Sequence, residues 1–280
     1  MAPTAHTPPA ALPRISIITI VRNGERFVGQ AIESVLKQRY AGIEYIVIDG
    51  GSTDGTVDII KTHASGIAKW ISEPDKGIAD AFNKGIAFAT GDYIMMLNAD
   101  DTLADAGVVE ALAQAARAHD MPVLLYGDCN ILDRHSGEVL HRADGAVSRE
   151  ALLRGQMMRH PGMLAHRSYF AKYGLFDPDF RIGMDYEWLL RGALAVRALH
   201  VPLLLTNMRA GGVSTVDRTR VVDEIVRALK KNGHIASRWA ELRLRAYYRA
   251  RLLARSVLEA TGLYRAFCRY RSRRAGAASA

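Results

Sequence analysis

At 280 residues and 49% hydrophobic, the chain can bury a substantial core without disulfide staples. Its two cysteines, Cys129 and Cys268, lie far apart without metal-type spacing, which suits a reducing compartment and argues against a disulfide scaffold. The net charge of +8 is one-sided: Arg238 to Arg274 carries 11 arginines against Glu241 and Glu259, leaving 26 basic and 27 acidic residues before it, so the body is near neutral and a nucleic-acid-binding core is disfavoured.

No apolar run approaches the roughly 20 residues of a membrane span. Residues 1–13 are rich in Ala, Pro and Thr, without a charged n-region or a long apolar h-region, and read as a disordered lead-in rather than a signal peptide. Ile15 to Val21 is a β-branched run ending at Asn23-Gly24, a strand followed by a turn. Phe27, Ala31 and Val35, with Val28, Ile32 and Leu36, have helical spacing over 25–38. Tyr45 to Ile48 predicts a second strand, broken by Asp49-Gly50-Gly51-Ser52-Thr53-Asp54-Gly55 and followed by a short helix with Val57 and Ile60 inward. A third strand over 67–71, a helix over 78–89 and a fourth strand over 93–97 complete a β-α alternation, the pattern of a parallel sheet covered by helices.

Beyond a helix over 104–119 the pattern changes. A strand at 123–126, a hairpin turning at Ser136-Gly137, a strand-like stretch and two helices within 160–195, and helices after Ala210-Gly211-Gly212-Val213-Ser214 are expected. Ligands of such sheets bind beyond the carboxyl ends of the strands. Four polar clusters fall there: Arg22-Asn23, Asp49, Glu73 to Asp75, and Asn98 to Asp101. The last follows the apolar run Tyr93 to Leu97, and carboxylates at the end of a buried strand are costly to desolvate unless a cation meets them. A hard divalent ion, Mg2+ or Mn2+, bound to a diphosphate would do so. The alternative is that Asp100 or Asp101 caps a helix starting near Leu103.

Four ordered motifs carry a resemblance: Thr19-Ile20-Val21-Arg22-Asn23-Gly24, Ile48-Asp49-Gly50-Gly51-Ser52-Thr53-Asp54-Gly55-Thr56, Glu73-Pro74-Asp75-Lys76-Gly77-Ile78-Ala79-Asp80 running on to Gly85, and Leu97-Asn98-Ala99-Asp100-Asp101. Over residues 14–215 the chain resembles the family 2 glycosyltransferases of the GT-A fold, especially bacterial enzymes of polysaccharide repeat-unit, colanic-acid-like biosynthesis. The resemblance implies an α/β fold with a mainly parallel nucleotide-binding sheet, a donor-nucleotide half at 14–102, an acceptor half at 103–215, a helical basic tail at 216–274 and a disordered end at 275–280. It also implies inverting, non-processive transfer from a UDP- or GDP-linked sugar to a lipid-linked or polysaccharide acceptor.

Donor-binding residues carried over by the resemblance are Thr19, Val21, Asn23, Asp49, Asp75, Lys76, Asp80, Asn98 and Asp100, with a divalent metal at Asp100 and Asp101. The first acidic position of the family's D-x-D site is Asn98 here. Relatives that read Asp-Asp-Gly-Ser carry an acid where this chain has Gly50, which leaves uracil against guanine undecided. No G-x-G-x-x-G follows the first strand, which counts against a dinucleotide enzyme, and no triphosphate loop supports a nucleotidyltransferase.

Inverting transfer needs a carboxylate that takes the acceptor's hydroxyl proton. In similar enzymes the acid of the x-D-Y-E segment does this, here Asp185, whose alternative is a helix cap. His160 and Glu187 are assigned to the acceptor side, against a structural histidine. Arg238-Trp239 resembles part of the Q-x-x-R-W signature of processive synthases, but Ile235 holds the glutamine position. On a helix, Trp239, Leu242, Ala246, Leu253 and Val257 form one stripe and Leu244, Tyr248 and Leu252 another, with Arg251 and Arg255 beside them. One stripe is expected to dock on the body and the other to meet an anionic membrane surface, placing a cytoplasmic protein on the inner face of the membrane; a homodimer is the alternative. A catalytically silent sugar-nucleotide-binding scaffold is the competing function.

Overall fold

The computed structural model describes residues 12–158, 160–212 and 217–263. The start of the lead-in, part of the loop after Gly212, and the tail from residue 264, with Cys268 and the last five arginines, lie outside the described residues.

The β-branched run forms β1 (Ile15–Val21), buried along its whole length. It is flanked in parallel by β2 (Ile43–Asp49) and β4 (Tyr93–Asn98), with β3 (Lys69–Ser72) parallel outside β2. Strands with parallel neighbours on both sides need apolar cover on both faces. Helices α1 (Val28–Leu36) and α3 (Ile78–Phe88) supply it from opposite sides: Val28, Ile32 and Val35 pack with Ile15 and Ile17, and Ala79 and Phe82 with Ile18 and Ile20. The chain departs from β1 to β2 on one side and reaches β4 on the other, a topological switch that opens a crevice at the carboxyl edge.

The remaining elements are α2 (Thr56–Thr62), β5 (Thr102–Leu103), α4 (Val108–Ala118), β6 (Leu124–Leu132), β7 (Val139–Ala143), α5 (Arg149–Leu153), β8 (Leu164–His166), α6 (Arg167–Tyr173), α7 (Met184–Gly192), β9 (Ala198–Arg209), α8 (Arg218–Lys231) and α9 (Arg238–Ala260). One sheet holds every strand, in the order β3-β2-β1-β4-β8-β6-β9-β5, with β7 on β6. β8 runs antiparallel to β4 and β6, whereas β6 and β9 are parallel, so the sheet is parallel from β3 to β4 and mixed beyond. It curls until β5 meets α1, where the Leu103 N–H donates to Ser34 Oγ at 3.1 Å.

Two local differences from the sequence reading have clear causes. Residues 102–103 pair with β9, which delays α4 to Val108 behind Gly107, so neither Asp100 nor Asp101 caps a helix. Helix α7 begins behind Gly183, which puts Asp185 inside its first turn rather than at its cap. In α9, Leu244, Tyr248 and Leu252 pack on the body, and the Tyr248 hydroxyl donates to the Arg154 carbonyl at 2.8 Å. The other stripe stays in solvent, with Trp239 77% and Leu253 67% exposed.

Candidate active site

Three loops meet at the carboxyl edge and are tied by side chains. Asn23 has a left-handed backbone (φ 50°), accepts the Thr53 N–H at 2.8 Å on Oδ1, and donates its own N–H to Ser52 Oγ at 2.7 Å. Asp54 accepts the Glu25 N–H at 3.2 Å while Glu25 accepts the Gly55 N–H at 2.8 Å, a reciprocal stitch. Beneath them Asp49 is wholly buried and takes the N–H groups of Gly51 and Ser52 and the hydroxyls of Ser52 and Ser72. It shapes the loop from below instead of presenting a carboxylate to a ligand.

The side chains of Thr19 and Val21 also point inward. The Thr19 hydroxyl receives the Tyr45 hydroxyl at 3.1 Å, and the Val21 carbonyl is occupied by the Gly50 N–H at 2.8 Å. On the third loop Asp80 accepts the Lys76 N–H at 3.0 Å, closing the first turn of α3. The Lys76 side chain is exposed at this edge. Lys84 bridges Glu73 at 2.8 Å and the Pro74 carbonyl at 2.9 Å.

Beyond β4 the two adjacent aspartates diverge. Asp100 is half-buried and pairs with Arg134 at 2.8 Å. Asp101 is buried and accepts from Asn98 Nδ2 at 2.9 Å and the Arg209 N–H at 3.2 Å. Burial, then the Asp100 charge, push its carboxyl up to about 7. Arg26, Arg134 and Arg209 all stand over the Phe27 ring, at 5.0, 5.1 and 4.8 Å from its centroid. This cationic collar comes from two loops and the last residue of β9, and sequence reading missed it because nothing in the spacing of the three arginines marks them as neighbours. Among the described residues, no group of three or more His, Cys, Asp or Glu side chains is gathered to hold a metal ion by protein ligands alone.

Opposite lies the segment that carries His160, facing Asp185. Residues 160–162 run along the end of β4, with an isolated parallel bridge from Met96 to Pro161. Gly162 (φ 83°) turns the chain there, and a Cβ on it would strike Thr206 and Leu205. His160 Nδ1 lies 2.9 Å from Asp185 Oδ2, and its Nε2 faces Asn98 at 3.5 Å. Asp185 Oδ1 accepts the Tyr186 N–H at 2.8 Å. Asn98, Asp101, His160 and Asp185 therefore form one continuous polar line across the crevice.

Glu187 is not part of that line. It is fully buried and held by Arg191, by Lys231 at 3.0 Å and by Asn232 at 3.3 Å, which places its carboxylate in the α7–α8 packing. Burial alone would raise its pKa, but these cations lower it, so the acceptor-side assignment of Glu187 is corrected to a structural ion pair.

Residues 16–170, more than half of the chain, match the glycosyl transferase family 2 domain. The chain belongs to glycosyltransferase family 2. An uncharacterized glycosyltransferase of Mycobacterium tuberculosis is 36% identical over 207 residues, covering 72% of this chain and 78% of the relative. A PGL/p-HBAD biosynthesis glycosyltransferase of the same organism is 29% identical over 213 residues, covering 74% and 81%. Among solved structures, residues 1–349 of Staphylococcus aureus TarS in complex with UDP-GlcNAc superpose with a TM-score of 0.62 at 14% identity, covering 87% of this chain and 74% of that one. A mannosyltransferase from Pyrobaculum calidifontis in complex with GDP-Man and Mn2+ gives 0.60 at 20% identity, covering 93% and 84%. These two likenesses establish the GT-A-like fold.

The glycosyltransferase holds Asp185 in place through a residue that sequence reading did not single out. Buried Glu224 on α8 accepts the N–H groups of Arg181, Ile182 and Gly183, at 3.1, 2.8 and 2.8 Å, and pairs with Arg220 at 3.1 Å. Burial would raise its pKa; the hydrogen bonds from Gly183, Ile182, Arg181 and Arg220 outweigh it, and the net direction is down. A lowered acid stabilises the fold above its unfolded pKa, and that stability disappears as pH falls through the folded pKa. Glu224→Gln should therefore cost about 1–3 kcal/mol at pH 7. In urea melts the gap to wild type should close as pH is taken below about 4.3, the ordinary glutamate value. A gap that persists unchanged at pH 3 would show that Glu224 acts through packing alone.

Proposed function

We propose that the enzyme is an inverting, metal-dependent, non-processive glycosyltransferase that moves a sugar from a nucleoside-diphosphate sugar to a hydroxyl of a lipid-linked or polysaccharide acceptor. The observation that carries this reading is the His160–Asp185 contact, which fixes a carboxylate across the crevice from Asp100. The sugar's anomeric carbon belongs between them. The acceptor hydroxyl oxygen attacks that carbon from the Asp185 side and its proton passes to Asp185. The bond to the diphosphate oxygen breaks on the opposite face, and the electron pair leaves with the diphosphate. His160 donates from Nδ1 to Asp185 Oδ2 and the Tyr186 N–H holds Oδ1, so the carboxylate is oriented before substrate arrives.

The leaving diphosphate falls toward Asp100 and the arginine collar. Mg2+ and Mn2+ keep several waters and take one or two protein carboxylates plus phosphate oxygens, and half-buried Asp100 with Asp101 behind it fits that donor set. A divalent ion bound there would neutralise charge on the leaving group. Arg134, already at Asp100, with Arg26 and Arg209, adds positive charge on the same side. The UDP-GlcNAc complex of TarS and the GDP-Man and Mn2+ complex of the mannosyltransferase support a nucleotide-sugar donor and the ion.

The apolar stripe of α9 supports peripheral binding to the inner face of the cytoplasmic membrane, where a lipid-linked acceptor lies. Trp239, Leu242, Leu253 and Val257 are exposed on a helix rich in arginine, a face that suits anionic headgroups. Among the described residues, no helix is long and apolar enough to cross a membrane.

Three outcomes are expected. Asp100→Asn should abolish transfer and weaken donor binding, and chelator should do the same to wild type; full turnover of Asp100→Asn in excess chelator would remove the ion from the reaction. Asp185→Asn should lose roughly a hundredfold or more in turnover while calorimetric donor affinity holds. Neutralising Arg251, Arg255, Arg269, Arg271, Arg273 and Arg274 should release the protein from anionic liposomes, since each arginine near such a surface contributes about 1 kcal/mol. The wild-type interaction should weaken steeply with salt. A wild type that ignores anionic liposomes at low salt would leave the homodimer as the better account of α9.

A further inference from the structure

In the nucleotide bed, Asp75 presents a carboxylate oxygen that the loops do not use. Asn23, Ser52, Thr53, Asp54 and Glu25 are consumed in tying the first two loops together, and the Asp49 carboxylate lies beneath them. Asp75, on the third loop, is half-buried and reaches across to the second. Its Oδ1 accepts the Gly77 N–H at 2.8 Å, while Oδ2 meets no hydrogen-bond donor or ion-pair partner among the described residues. Oδ2 instead lies against Gly50: a Cβ added there would collide with it, and would sit 2.9 Å from Asp75 Cγ. Glycine at position 50 is thus the space into which the Asp75 carboxylate fits. The nearest lysine of α3, Lys84, is committed to Glu73 and the Pro74 carbonyl.

A carboxylate oxygen that faces the crevice without a protein donor can accept an N–H from a ligand. Resting on the donor reading above, we propose that Asp75 reads the nucleobase, and that its one available oxygen selects a pyrimidine imide, uracil or thymine, over guanine. The Watson–Crick edge of guanine offers adjacent N1–H and N2–H donors, which a carboxylate meets with both oxygens. Here Oδ1 already serves the Gly77 N–H, and rotating it away would leave that backbone group unsatisfied. A uracil or thymine edge presents a single N3–H between two carbonyls and needs only Oδ2.

Titration calorimetry of UDP, dTDP and GDP in the presence of Mn2+ tests this with the full chain. UDP or dTDP should bind wild type at least tenfold more tightly than GDP, as a hydrogen bond to a charged group requires. The order of UDP and dTDP then reports the sugar and the methyl group, not Asp75. Asp75→Asn keeps its carbonyl on the Gly77 N–H and turns an NH2 toward the base, so it should lose at least tenfold for the pyrimidine ligand and little for GDP. Because the ratio of two affinities is read, partial unfolding does not imitate the result. In an Asp75→Gly background, adding Gly50→Asp should restore much of the loss by returning a carboxylate from the facing loop. GDP binding more tightly than both pyrimidine nucleotides, or Asp75→Asn leaving the ratio unchanged, would overturn the assignment alone. Failure of all three to bind wild type would overturn the donor reading and this proposal with it.

Discussion

Acids at the carboxyl edge of a parallel sheet must each be given a donor, and the architecture around this crevice follows from that requirement. Asp49 closes the second loop with the groups of Gly51, Ser52 and Ser72. Asp101 draws in Asn98 and the end of β9. Asp185 takes His160, and Glu224 takes the three N–H groups ahead of α7. Among the described residues no buried side-chain nitrogen or oxygen lacks a partner. A buried carboxylate without donors would carry a desolvation cost of several kcal/mol, comparable with the whole stability of many domains. The same bonds therefore hold the loops, orient the site and leave few acidic oxygens for substrate.

The two sides of the crevice are held by different means. On one side the loops after β1 and β2 are stitched to each other by polar side chains. On the other side Asp185 sits on a helix whose residues from Met184 to Leu190 are all buried, packed through Trp188 against Tyr169, Phe170 and Phe176. Rigid support suits the proposed role of Asp185 as a base that must hold one direction, and side chains on packed helices are placed more firmly than those on loops. The Glu187–Lys231 pair and Glu224 then dock α8 on this helix, so the C-terminal helices support the catalytic side as well as carrying the exposed stripe.

The donor half was legible because its signals are local. β-branched runs marked β1 and β2 and an apolar run marked β4, and each ended on a polar cluster that the sheet then brought to one edge. β9 was not legible: Pro202 interrupts it, and His200, Thr206 and Asn207 obscure its apolar alternation. Missing β9 also hid Arg209 and the pairing that delays α4. The collar on Phe27 and the His160–Asp185 contact join residues distant in sequence, which periodicity cannot report. Asp75 was assigned to the donor by resemblance, but the reason Gly50 stands opposite it is visible only in three dimensions. Thr19, Asp49 and Glu187 show the converse: a polar residue in a family motif can serve the fold from beneath the site.

The proposed reaction is a single displacement, with Asp185 on one face of the anomeric carbon and Asp100 on the other. Such a displacement inverts the carbon, whereas a covalent sugar–enzyme intermediate or front-face attack would retain it. The most direct measurement is the NMR anomeric coupling of the first product formed from an α-linked nucleoside-diphosphate sugar. A β-linked product is expected. An α-linked product would contradict the placement of the base and the leaving group on opposite sides of the crevice.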